Sequence, residues 1–143
     1  MVSSQASQLR IPFSSEYCTS KHALVRFAEF ITIGKSSNHS PVTCVRTLDN
    51  GTSFAEYPDL KTFCVHPGIV ATELTVGYEG HASRDVDSPA LCASTILYVV
   101  SGRADYLSGR FVASTWDLGE VERDWKEKII TQDALVSKLH IPQ

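Results

Sequence analysis

The feature that most constrains this chain is the order in which two kinds of apolar periodicity follow one another. From Glu16 to about Ile33, apolar residues at Ala23, Leu24, Phe27, Ala28, Phe30 and Ile31 recur at helical spacing, with Lys21, Arg26 and Glu29 between them. Ser14 or Ser15 is the natural cap of that helix. Lys61 to His66 is a short aromatic and β-branched run closed by Pro67-Gly68, which predicts a buried strand ending in a sharp turn. Ser88-Pro89 then places a capping hydroxyl before a proline suited to a first helical position, so a second helix runs to about Val100, where Gly102 stops it. Gly109 to Ser114 reads as a further strand, and residues 1 to 4 as the end of an earlier one. Strand, helix, strand, helix, strand is the order of a parallel α/β sheet with crossover helices.

The connections are less regular. Gln5 to Ser15 is a polar, proline-containing loop, Gly34 to Pro58 is a breaker-rich run without periodicity, and residues 67 to 87 form a loop region with a short helix near Thr72 to Val76. The tail is expected to carry a charged helix from about Glu120 to Ile130 and a weaker one from Ala134 to Leu139.

Composition excludes several functions. A net charge of -3, with lysines and arginines scattered singly, offers no basic field for a nucleic acid. The first residues have no positively charged region followed by an apolar run, and no stretch approaches the roughly twenty residues that span a bilayer, so a cytoplasmic protein without membrane contact is expected. Cys18, Cys44, Cys64 and Cys92 are far apart and form no Cys-x-x-Cys pair, which argues against a metal site or a disulfide framework. Gly34-Lys35-Ser36 fails as a phosphate loop because Glu29 stands where a glycine is required, and no Gly-x-Ser-x-Gly run suggests a hydrolase. His22 and His66 are lone histidines, for which packing is the ordinary reading.

Tyr17 and Lys21, four apart at the start of the first helix, project from one face. A free phenol ionises near pH 10, and using one as an acid or base near neutrality takes about 4 kcal/mol of preference for the phenolate, which an ammonium in a partly dry site can provide. Ser4 stands thirteen positions before the tyrosine, at the expected end of a strand. Ser4, Tyr17-Cys18-Thr19-Ser20-Lys21 and Pro67-Gly68-Ile69-Val70-Ala71-Thr72 together resemble the catalytic half of the short-chain dehydrogenase/reductase family, and the similarity continues to Trp116-Asp117.

That resemblance implies a partial doubly wound, Rossmann-like parallel sheet and an enzyme that interconverts an alcohol and a carbonyl with NAD or NADP. It implies that Ser4 holds the substrate oxygen, that Tyr17 donates or removes the proton, and that Lys21 favours the phenolate and holds the nicotinamide ribose. Pro67, Gly68, Val70 and Thr72 would meet the nicotinamide and phosphate region. It also implies a homo-oligomer through the faces of helices 16–33 and 89–100. The family's Gly-rich phosphate turn and its Asn-Asn-Ala-Gly stretch do not occur in the 143 residues, so the resemblance is to a C-terminal half, and the choice between NAD and NADP is not readable. A non-catalytic fragment or interaction protein that keeps the oligomer-forming helices is the competing expectation.

Tyr17 and Pro67 are 50 positions apart. The family needs roughly thirty, which leaves a surplus at about 34–55 where a crossover loop runs about two to six residues. A surface insertion and a retained intron account for it equally well.

Overall fold

The computed structural model describes residues 1–32, 60–73 and 86–139. The expected insertion at 34–55 and most of the expected short helix at 72–76 lie outside the described residues. The fold is α/β, built on a parallel pair of strands, β1 (Phe63–His66) and β2 (Arg110–Ala113), in register from Phe63 opposite Arg110 to His66 opposite Ala113. Met1 to Ser3 runs alongside β1 in the same direction. Val2 forms a single parallel bridge to Val65, supported by Val65 N–H to Met1 O at 2.9 Å and Ser3 N–H to Val65 O at 2.8 Å. The strand expected over residues 1–4 is thus reduced to this one bridge beside a two-stranded sheet, because Ser4 already turns away into a 3-10 turn, Gln5–Gln8.

Helices α1 (Ser15–Thr32) and α2 (Pro89–Val100) cover opposite faces of this sheet. Successive strand side chains point to opposite faces. Phe63 and Val65 pack with Val99, Leu107, Val112 and Ile129, whereas Cys64 packs with Val25 and Ala28 and has Phe111 against it. All four residues of β1 are buried, which is the pattern of a strand covered on both sides. Ser14 starts α1 as its carbonyl accepts the Cys18 N–H at 2.9 Å, and Glu16 in the first turn suits the positive end of the helix dipole. Ser88 caps α2 through Ala90 N–H, with Pro89 at the first helical position.

Three expectations need correction. The tail helix expected from Glu120 to Ile130 begins earlier, as α3 (Leu118–Glu120) capped by the Asp117 carboxylate, then widens into a π turn (Val121–Trp125) before α4 (Lys126–Thr131). The weaker helix expected from Ala134 to Leu139 does not form: Leu135 has φ +64, and its carbonyl accepts the Phe111 N–H at 3.0 Å on the outer edge of β2. The backbone of this segment serves the sheet edge, which an unpaired strand leaves open to other chains. The Arg110 guanidinium also donates to the Ala134 carbonyl and pairs with Asp133.

The third correction concerns α1. Its helical spacing placed Phe27 and Phe30 among the apolar positions and Glu29 among the polar ones, yet Phe27 is 57% exposed and Phe30 51%, while Glu29 is 7% exposed. Glu29 faces inward because its two oxygens have partners: the Arg26 guanidinium at 2.6 Å and the Ser137 backbone N–H at 2.6 Å. A buried carboxylate is tolerated when it is paired and hydrogen-bonded. Among the described residues no helix is long and apolar enough to cross a membrane, no metal-binding group of His, Cys, Asp or Glu occurs, and Cys18, Cys64 and Cys92 are free thiols.

Candidate active site

Tyr17 and Lys21 lie one helical turn apart near the start of α1, as their spacing requires. The Lys21 Nζ sits 5.6 Å from the centroid of the Tyr17 ring, within reach of an attractive cation–π contact. Its ammonium also donates to the Val2 carbonyl at 3.2 Å. The backbone of the same residue is tied to the same strand, since the buried Ser3 hydroxyl donates to the Lys21 carbonyl at 3.0 Å. Lys21 is thus fixed at both ends to the Met1–Ser3 segment, and α1 cannot rotate without breaking these bonds.

Ser4 follows directly. It is 8% exposed, and its Oγ accepts the Ala6 N–H at 3.2 Å as the cap of the 3-10 turn. Engaging the oxygen as an acceptor fixes the side chain and leaves the hydroxyl proton to be donated elsewhere. The turn is held against α1 by His22, whose Nδ1 donates to the Ser7 carbonyl at 2.9 Å. That carbonyl can only accept, so Nδ1 carries the proton. His22 is exposed, so its contribution here is this hydrogen bond and not the packing expected of it.

Pro67 to Thr72 leaves the C-terminal end of β1. Gly68 has φ +86, a left-handed value that other residues adopt at a cost. The turn is held from outside: the Asp87 carboxylate accepts the Ile69 N–H at 2.7 Å, and the Asp87 N–H returns to the Ile69 carbonyl at 2.7 Å. Val70 is half-buried and Thr72 exposed. The structure thus brings Tyr17 and Lys21 together and joins Lys21 to the Val2–Ser3 segment that precedes Ser4, while the Pro67–Thr72 turn leaves the sheet from the end of β1.

Two buried polar atoms mark the C-terminal ends of the strands, which is where ligands bind in open parallel sheets. Among the described residues His66 Nδ1 and Ser114 Oγ have no hydrogen-bond partner, although the Ser114 N–H donates to the His66 carbonyl at 2.9 Å. Buried polar atoms without partners are uncommon and point to a water or ligand contact. Burial pushes the His66 imidazole below its usual pKa, against the opposing pull of the Asp87 charge. A histidine with a lowered folded-state pKa stays neutral while the unfolded chain takes up a proton. Stability is therefore retained above the unfolded value of 6.5 and lost as pH falls from there through the folded value. Urea unfolding of the chain and of His66→Phe at a series of pH values should show a shallower acid-side decline for the variant. Equal slopes would mean that His66 does not carry this linkage.

Sequence reasoning missed Ser3, Glu29 and Asp87. Ser3 is one position from a residue that was singled out, and its distinction from Ser4 depends on which hydroxyl faces α1. Asp87 immediately precedes the Ser88-Pro89 helix start, but its bond to Ile69, 18 positions away, has no local signal.

The chain is similar to proteins named short chain dehydrogenase. The short chain dehydrogenases mpl6 of Monascus purpureus and citE of Monascus ruber are each 32% identical to it over 139 residues, covering 96% of this chain and 40% of theirs. The short chain dehydrogenase tazN of Aspergillus terreus is 32% identical over 125 residues, 84% of this chain and 23% of its own. The chain thus spans about 40% of the length of the first two relatives. No family model and no solved structure matches it. Similarity over nearly the whole chain to proteins of this one name agrees with the Ser4, Tyr17–Lys21 and Pro67–Thr72 motifs: the chain belongs to the short-chain dehydrogenase/reductase family.

Proposed function

We propose that this chain is the catalytic, C-terminal portion of a Rossmann-like oxidoreductase that interconverts an alcohol and a carbonyl. The observation that carries the reading is the placement of the Lys21 ammonium over the Tyr17 ring, with Lys21 tied to the Val2–Ser3 segment that leads into Ser4. When bound, NAD or NADP supplies the hydride or its acceptor. The residues present fit the nicotinamide end of that cofactor: a lysine beside a tyrosine, a tight glycine turn, and buried polar atoms without partners at the strand ends. The pyrophosphate end is held in this family by a Gly-rich turn and helix N-terminus, and no such turn occurs in these 143 residues.

In this reading the Ser4 hydroxyl donates to the substrate oxygen, because its own oxygen is already held by Ala6. Tyr17, 38% exposed, gives its phenolic proton to that oxygen during reduction or removes it during oxidation. Lys21 stands over the Tyr17 ring and offers its remaining N–H groups to ribose hydroxyls. Val70 and Thr72 line the nicotinamide side. Phe27 and Phe30 on α1, with Leu97 and Val100 on α2, are exposed apolar side chains. They favour self-association through these helix faces, and they are also what a non-catalytic interaction protein would use.

The test compares residues 1–143 alone with the same residues joined to the Gly-rich portion of a relative, assayed for substrate-dependent oxidation of NADH and NADPH over a panel of carbonyls. Turnover should appear only in the joined form. A folded joined form that binds NADH or NADPH but reduces none of the carbonyls would favour the interaction protein. Turnover by residues 1–143 alone would show that the pyrophosphate grip is dispensable.

A further inference from the structure

The turn that leaves β1 is built from residues that do not hold themselves. Pro67 restricts its own φ and the residue before it but nothing after it, and Gly68 is the most permissive residue in the chain's repertoire. Such a turn adopts a single shape only if something else fixes it. That is the role of Asp87, through the paired 2.7 Å bonds between its carboxylate and backbone and the two sides of the Ile69 peptide. The approach is close enough to exclude a side chain at Gly68: a Cβ built there would stand 2.4 Å from Asp87 Oδ2. Glycine at 68 therefore serves the contact with Asp87 as well as the positive φ.

Asp87 is itself anchored. It directly precedes Ser88, the cap of α2, and α2 is locked into the core by Thr95 and Val99. The geometry of the turn is thus set by α2 and passed to Ile69 through the Asp87 carboxylate and backbone N–H. We propose that Asp87 is a positioning residue for the nicotinamide end of the cofactor, holding the Gly68–Val70 backbone in its binding shape; this rests on the function proposed above. The bond needs an acceptor oxygen at that place and not a charge. Asparagine can supply the acceptor, and alanine cannot.

The experiment follows backbone amide resonances of residues 1–143 during titration with nicotinamide mononucleotide, a probe that carries the nicotinamide end alone. In the unaltered chain the probe should shift the Ile69 and Val70 amides together with those of Tyr17 and Lys21. Asp87→Ala should weaken the probe by about tenfold and accelerate hydrogen exchange at Ile69. Asp87→Asn should restore both. The melting temperature of each variant is measured in parallel. Should Asp87→Ala fail to fold, Asp87→Asn and Asp87→Glu decide alone, since the first keeps the acceptor in place and the second moves it by one methylene. Unchanged probe affinity in a folded Asp87→Ala or Asp87→Glu overturns the positioning role. A probe that shifts Tyr17 and Lys21 but not Ile69 or Val70 overturns it as well and leaves the proposed function standing, whereas a probe that shifts none of these residues overturns both.

Discussion

Replacing Tyr17 with phenylalanine should lower turnover of the joined, active form by about 10²- to 10⁴-fold, the contribution of a positioned acid or base. The substitution removes one oxygen and keeps the ring, so the contact between Lys21 and the ring face survives and α1 keeps its hold on the first strand. The loss should therefore fall on kcat, with the KM for NADH or NADPH changed little. Because Tyr17 is 38% exposed and α1 begins only two residues before it, the variant should also fold as the parent does. Steady-state kinetics with a responsive carbonyl substrate measures this directly. Turnover within a factor of about three of the parent, far below the usual acid–base contribution, would remove Tyr17 from the chemistry.

Gly68→Ala should have the largest structural consequence of any single methyl group added to the described residues around the site. Holding φ at +86 costs alanine about 1–2 kcal/mol. The new methyl would also stand 2.4 Å from Asp87 Oδ2 and 2.9 Å from its Cβ, so residue 87 as a whole must move, and both the carboxylate's bond to the Ile69 N–H and the Asp87 N–H bond to the Ile69 carbonyl are lost, at about 1 kcal/mol each. Together these predict a loss of about 3 kcal/mol in urea unfolding, a large share of the total for a domain of this size. A loss under about 0.5 kcal/mol, the level of an ordinary surface substitution, would show that the turn relaxes freely and that the Asp87 contact is not tight.

The elements that position the site were legible because each has a local cause. The 3.6-residue spacing marked α1, the Ser88-Pro89 pair marked the start of α2, and the apolar run into Pro67-Gly68 marked β1 within two residues of its observed start at Phe63. What was not legible depends on partners distant in sequence. Periodicity revealed an apolar stripe on α1, but it could not show that Phe27 and Phe30 stay outside while Glu29 turns in, because Glu29 is drawn inward by Ser137. The segment from Ala134 to Leu139 has helical composition, yet its carbonyls are taken by Arg110 and Phe111 at the sheet edge. Tertiary demand overrode local preference there. Around the site, the side chains that meet substrate or cofactor in the proposed reading were named from sequence, whereas Ser3 and Asp87, which hold them, were not.

The bond between Glu29 and Ser137 joins positions 108 residues apart. Contacts of such separation form late in folding, since the entropy of closing the intervening chain is lost before the contact is gained. Until Ser137 arrives, one oxygen of Glu29 needs water, and α1 cannot settle fully onto Cys64 and its neighbours. The order of events is then opposite to the order of synthesis: α1 is sealed by a residue made 108 positions after Glu29. A chain that stops short of Ser137, whether by premature termination or by proteolysis, carries a complete α1 with a carboxylate that prefers solvent, and so remains open at the helix that bears Tyr17 and Lys21.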